Sequence, residues 1–227
     1  MAANKNPGGE TLLGIDDKFK FSCHEGLACF KKCCRDISIF LTPFDVLRMK
    51  NKLKVPSGEF LRRYTIPFTA GYSGFPLLLI KMSEEDDLKC PFITEKGCGV
   101  YNERPWSCRM APVEIRGRGA YGFCFDRSRC HGLGEEREQT VREWMRDQGM
   151  EVYDGVEGLF QEIPLKVRPT GRKELDQLMM KAFHLASYDL DRFREFVLSS
   201  PFKKAYGLSG EEAEKLRKDD QELLQFG

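Results

Sequence analysis

Nine cysteines carry the chemistry that this chain can be expected to perform. Four fall within Cys23–Arg35, C-H-E-G-L-A-C-F-K-K-C-C-R, spaced C-x5-C-x3-C-C. Cys90, Cys98 and Cys108 follow as C-x7-C-x9-C, then come Cys124 and Cys130, with none beyond. Thiolates are soft, strong ligands for zinc and for iron–sulfur clusters, so thiols concentrated in a chain without secretory features point to metal or redox chemistry. Cys33 and Cys34 add a constraint. In a helix their side chains diverge by about 100°, and in a strand they point to opposite faces. Adjacent residues are therefore awkward ligands for one small tetrahedral ion, and serve different irons of a cluster, or two neighbouring sites, more easily. Cys29 and Cys33, four apart, share one face if the segment is helical.

Several other chemistries are excluded. The ferredoxin spacings C-x2-C-x2-C-x3-C and C-x4-C-x2-C are absent, and no pair has the C-x2-C spacing of zinc ribbons. The C-x3-C-x2-C triplet of radical enzymes fails because Cys34 directly follows Cys33. There is no Walker loop, no GxGxxG and no carboxylate pair suited to hydrolysis. Cys124 stands between Phe123 and Phe125 in an expected strand and reads as a packing residue. His24 and His131 adjoin cysteines and read as supporting or surface groups, and His184 carries no functional signal. Arg35, Arg104 and Arg109 flank cysteines, where guanidinium groups would either offset thiolate charge or form surface salt bridges. Phe92 and Trp106 are expected to wall the site.

The residues with these spacings resemble a known family. Cys23, Cys29, Cys33 and Cys34 followed by Arg35 are similar to the name-giving motif of the YkgJ-type cysteine-cluster family, also called the CxxxCxxCC or zinc- or iron-chelating domain family. Cys90-Pro91-Phe92, then Cys98-Gly99-Val100-Tyr101, then Glu103-Arg104-Pro105-Trp106-Ser107-Cys108-Arg109 resemble its C-P-F…C-x-[IV]-Y-x-x-R-P-x-x-C-R segment, and Cys130 matches its late cysteine. The gap between Cys23 and Cys29 is wider than the family's. The resemblance covers roughly residues 19–132. It implies a metal site drawn from Cys23, Cys29, Cys33, Cys34, Cys90, Cys98, Cys108 and Cys130, holding an iron–sulfur cluster (4Fe–4S) or zinc. The adjacency of Cys33 and Cys34 favours iron–sulfur, with a redox or sensing role. A zinc-chelating structural or binding module is the alternative. A flagellin lysine methylase shares this type of motif, so an enzyme is a further alternative, although no S-adenosylmethionine motif is present.

The rest of the chain must position these residues. With 36 basic and 35 acidic residues the net charge is +1, too even for counterion release from nucleic acid, and Arg116, Arg118, Arg127 and Arg129 read as a solvated hairpin face. Met1–Glu10 lacks a signal-peptide core, and the most apolar run, Phe75–Ile80, is too short to span a membrane. A cytoplasmic protein with reduced thiols is expected, binding neither nucleic acid nor membrane, with a redox or protein partner. Met1–Asn4 and Pro7-Gly8-Gly9 are expected to be disordered.

The expected fold is α+β. A small cysteine-rich metal-binding domain of short strands and helices (15–135) precedes a helical region packing on it (136–207) and a charged tail (208–227), a peripheral helix or frayed end. Thr42-Pro43-Phe44-Asp45 and Thr140-Val141-Arg142-Glu143 are helix-opening capping boxes. Ser57 is expected to cap a helix carrying Phe60, Leu61 and Tyr64. Ile37–Leu41 and Pro76–Met82 read as strands, and Val113–Ile115 with Tyr121–Phe125 as a hairpin around Arg116–Ala120. Leu175, Leu178, Met179, Ala182, Phe183 and Ala186 form the strongest helical stripe, expected to be core. Phe193, Phe196 and Val197 give one more helix, expected to end at Pro201.

Overall fold

The computed structural model describes residues 4–5, 11–69, 74–156, 160, 162–163 and 166–227. It shows a mixed α+β cysteine-rich region followed by a helical C-terminal region, and the chain divides into two compact units, each built from three segments. Of the residues expected to be disordered, 1–3 and 7–9 lie outside the described residues. Asn4–Lys5 instead form a short strand paired with Thr11–Leu12.

The first unit comprises Met1–Ile39, Met82–Gly99 and Trp106–Val152. Its strands are short and paired in twos: Lys18–Lys20 with Glu138–Thr140, Val113–Gly117 with Ala120–Phe123, and Ile93–Thr94 with Gly97–Cys98. In Lys18–Lys20 only Phe19 is buried, as the two-residue period of a half-covered strand requires. Phe19 and Phe21 meet Trp144 edge-on at 6.5 and 5.1 Å, and Met110, Val113, Leu133 and Val141 complete the core. The indole of Trp144 donates to the Met110 carbonyl at 2.9 Å, so its one polar atom is satisfied on burial. Helix Val141–Asp147 opens on the expected box, with the Thr140 hydroxyl accepting from the Glu143 amide and the Glu143 carboxylate accepting from the Thr140 amide. Gly149, with φ of 65°, follows its end.

The second unit comprises Phe40–Lys81, Val100–Pro105 and Tyr153–Gly227. Its sheet is antiparallel, in the order Phe40–Leu41, Pro76–Ile80, Thr65–Thr69. The strand expected over Ile37–Leu41 is thus only its last two residues. Helix Pro43–Leu53 has the expected Thr42 cap and Asp45 box, and buries Phe44, Val46, Leu47 and Met49. Buried Asp45 also accepts from the Tyr153 hydroxyl at 2.7 Å.

Ser57 does not cap its helix. It lies inside the first turn of Ser57–Tyr64, where its hydroxyl donates to Asp189 and its amide to Asp191, both at 2.6 Å. One carboxylate distant in sequence, Asp191, satisfies an amide of the helix start, and the hydroxyl that local pattern assigned as the cap is held by another, Asp189.

The C-terminal region is helical over Lys173–Tyr188, Leu190–Val197, Ser200–Tyr206, Gly210–Lys218 and Asp220–Phe226. The expected stripe is helical, but only its last part is core. Phe183 packs on Phe75 at 4.8 Å, whereas Leu178 is 63% exposed and Leu175 and Ala182 are exposed too. Pro201 opens a helix rather than simply ending one, since it sits in the first turn of Ser200–Tyr206, where its missing N–H costs nothing. The charged C-terminal segment is two helices, with Ala213, Leu216 and Leu223 buried. No helix of the described residues is long and apolar enough to cross a membrane.

Candidate metal centre

All nine cysteines are free thiols, and all lie in the first unit. The loop bearing the first four is pinned at both ends. The Phe21 amide donates to the Arg137 carbonyl at 2.9 Å and the Ser22 amide to the Gly132 carbonyl at 3.2 Å. A Cβ on Gly132 would lie only 2.5 Å from the Ser22 carbonyl oxygen, so glycine is required for this approach, which sets Cys23 beside Cys130. From Cys23 the chain advances in tight turns, Leu27 to His24, Phe30 to Leu27 and Lys32 to Cys29. Lys31 takes a left-handed conformation, φ 68°, and anchors its ammonium on the Glu95 carbonyl at 2.7 Å. A single 3-10 turn, Lys32–Cys34, follows, which decides between the helical and extended alternatives for the paired cysteines.

The second group is tied to the end of that turn. The Cys90 amide donates to the Cys34 carbonyl at 2.9 Å, and Arg35 bridges Lys89 as in an antiparallel pair. Cys98 lies opposite Ile93 across a hairpin closed by Gly97, and Cys108 sits on helix Trp106–Met110. Phe92 is buried, and Trp106, half-buried, packs against the unit's core. The structure therefore brings the two cysteine groups together.

The His131 amide donates to Cys29 Sγ at 3.3 Å, the Ile93 and Leu133 amides close tight turns on the Cys90 and Cys130 carbonyls at 3.1 and 3.2 Å, and main-chain amides in these turns act to lower the Cys90 and Cys130 thiols. Such hydrogen bonds favour the thiolate form. Burial works against it, and so do neighbouring thiols. Cys23 is pushed up to about 11 by burial and by Cys33, Cys130 and Cys29. Burial raises Cys90 and Cys130 as well. Cys34 is held high because its thiol donates to Cys33, with burial and the fields of Cys90 and Cys108 adding to that. Cys33 is correspondingly lowered by that bond, helped by its own amide and by the Arg129 charge. Thiols gathered so closely resist ionising together unless a cation joins them, and a bound metal ion reverses the balance outright. The donor set fits a thiophilic metal. Among the described residues no three His, Cys, Asp or Glu side chains already stand round one point. Drawing four sulfurs to about 2.3 Å from an ion requires side-chain rotation and loss of the thiol protons.

Cys124 donates its thiol proton to the Pro112 carbonyl at 3.2 Å and is raised to about 12, first by burial. It belongs to the packing of the hairpin, although Cys130 and Cys33 lie within electrostatic range of it. The three arginines that flank cysteines make the following contacts. Arg35 donates to the Asp86 carbonyl at 2.7 Å, Arg109 to the Gln148 carbonyl at 2.6 Å, and Arg104, in the second unit, lies 3.9 Å over the Tyr101 ring. Arg129, a residue expected on a solvated face, lies within electrostatic range of Cys33 and helps to lower it. It is held against the Arg35 carbonyl at 3.2 Å and the Phe125 ring at 5.2 Å. His131 contributes its amide to Cys29, while His24 meets Glu135 at 3.4 Å on the surface.

These thiols and their order define a class, the cysteine-cluster metal-chelating domains. The chain belongs to the CxxCxxCC family, described as a putative zinc- or iron-chelating domain, whose model matches residues 22–144, more than half of the sequence. No curated protein and no solved structure matches the chain.

Proposed function

We propose that this protein holds iron as an iron–sulfur cluster on thiolates drawn from Cys23, Cys29, Cys33, Cys34, Cys90, Cys98, Cys108 and Cys130, in a redox or sensing role. The observation that carries it is the gathering of these thiols in one unit, with the His131 amide donating to the Cys29 sulfur. Hydrogen bonds to sulfur and solvent exposure are the levers by which a protein sets a cluster's potential, and both are present. Cys23 is exposed while Cys29 and Cys90 are buried, an arrangement that would shield part of a cluster and leave one side open to electron exchange or to an oxidant. A bound cluster would supply one-electron chemistry. The chain's own contribution is to order the thiolates, limit water and place the Arg129 charge.

Zinc is the second reading, favoured by the tight turns that follow Cys90 and Cys130, closed by the Ile93 and Leu133 amides on the cysteine carbonyls. Each is a local turn that fixes one thiolate, and a structural zinc site needs four such ligands closed around it. Anaerobic purification with a visible spectrum and sulfide assay separates the two. Iron with acid-labile sulfide and a brown colour supports the cluster, and a colourless protein with stoichiometric zinc supports the alternative.

A further inference from the structure

We propose that the eight cysteines form two four-thiolate centres, Cys23/Cys29/Cys33/Cys130 and Cys34/Cys90/Cys98/Cys108, divided between the consecutive residues Cys33 and Cys34. The inference rests on the reading that these thiolates hold metal and is independent of which metal it is. A tetrahedral zinc ion takes four sulfurs and a 4Fe–4S cluster takes four, so eight thiolates are twice what either centre uses.

The contacts divide in the same way. In the first set, the close approach of Gly132 to Ser22 places Cys23 beside Cys130, and the His131 amide ties Cys29 to the same turn. The thiols of Cys29, Cys33 and Cys130 all act on Cys23, and those of Cys29 and Cys33 on Cys130. In the second set, the Cys90 amide is bonded to the Cys34 carbonyl, and the hairpin that starts three residues after Cys90 carries Cys98. Cys90 and Cys108 act on Cys34, and Cys98 on Cys90. Each set contains one cysteine that opens a tight turn, Cys130 in the first and Cys90 in the second, where the Leu133 and Ile93 amides donate to their carbonyls at 3.2 and 3.1 Å. The sets meet where the Cys34 thiol contacts Cys33, between neighbours in sequence. Dividing the ligands also divides the charge. Eight thiolates on one centre would leave several uncompensated negative charges together in a half-buried site.

The test is metal content per chain, measured on full-length protein purified without oxygen. Single replacements in either set, such as Cys130→Ser or Cys98→Ser, should keep half of the wild-type metal. The within-set double Cys29→Ser/Cys130→Ser should still keep half, whereas the cross-set double Cys29→Ser/Cys98→Ser should keep none. Complete loss from Cys29→Ser/Cys130→Ser would overturn the division. Since a variant can lose metal by failing to fold, wild-type protein is also followed by native mass spectrometry during stepwise chelation. A half-loaded species is expected, and direct passage from loaded to metal-free protein would overturn the proposal by itself. Wild-type protein that carries no metal would overturn the underlying reading too. Metal that every single replacement abolishes, with no half-loaded species, would overturn only the two-centre division.

Discussion

Cys124 and Cys33 are the most informative contrast at the level of single residues. Serine preserves size but replaces a soft thiolate with a poor ligand, so Cys33→Ser, and equally Cys34→Ser, Cys98→Ser or Cys108→Ser, should lower metal content and stability together. In Cys124→Ser the hydroxyl can take over the bond to the Pro112 carbonyl, so metal content should stay near wild type and the stability cost should be about 1 kcal/mol. Metal analysis and denaturation of both variants check this, and loss of metal from Cys124→Ser alone would reverse the assignment. Arg129 carries a separate prediction. Its charge acts on Cys33, so Arg129→Gln should weaken metal retention by about tenfold, in the range seen when a group supporting a metal ligand is removed. Chelator competition measures it, with Arg127→Gln as the control.

Elements place these residues, and the critical contact is between the strand end at Ser22 and the turn at Gly132. Gly132→Ala puts a methyl where no side chain fits, so it should part Cys23 from Cys130 and reduce metal content although no thiol is touched. Metal analysis of this variant tests the framework rather than the ligands. His184, on helix Lys173–Tyr188, gives a pH prediction. Burial lowers its pKa, against a smaller opposing effect of Asp189, so the fold favours the neutral ring. The unfolded chain takes up the proton at a higher pH, near the ordinary value of about 6.5. The stabilisation is therefore complete above about 6.5 and is lost as pH falls through the lowered folded value. Thermal midpoints at pH 7.5 and 5.5 should fall further for wild type than for His184→Gln, and equal falls would refute it. Local signals of this kind were legible in the chain. Both threonine capping boxes and the Val113–Phe123 hairpin follow from residues within a few positions of each other. Periodicity showed which residues share a helix face but not whether anything covers it, so Leu175 and Leu178 are exposed where core was expected. The bonds of Ser57 to Asp189 and Asp191, and the reach of Arg129 to Cys33, join residues far apart in sequence and leave no local trace.

For the whole molecule, the order of the eight cysteines was readable, while their grouping depended on how the chain folds. Short two-stranded ribbons and single turns cannot bury much apolar surface themselves, so the first unit should draw stability from bound metal. Removing metal with a chelator under reducing conditions should lower the melting temperature of the protein, and readdition should restore it. The most direct test of the central claim is elemental analysis, with acid-labile sulfide and thiol titration, on protein purified anaerobically. Iron and sulfide are expected in stoichiometric amounts, with the eight family cysteines protected from alkylation and Cys124 left as a free thiol. Metal-free, folded protein in which all nine cysteines titrate as free thiols would contradict it.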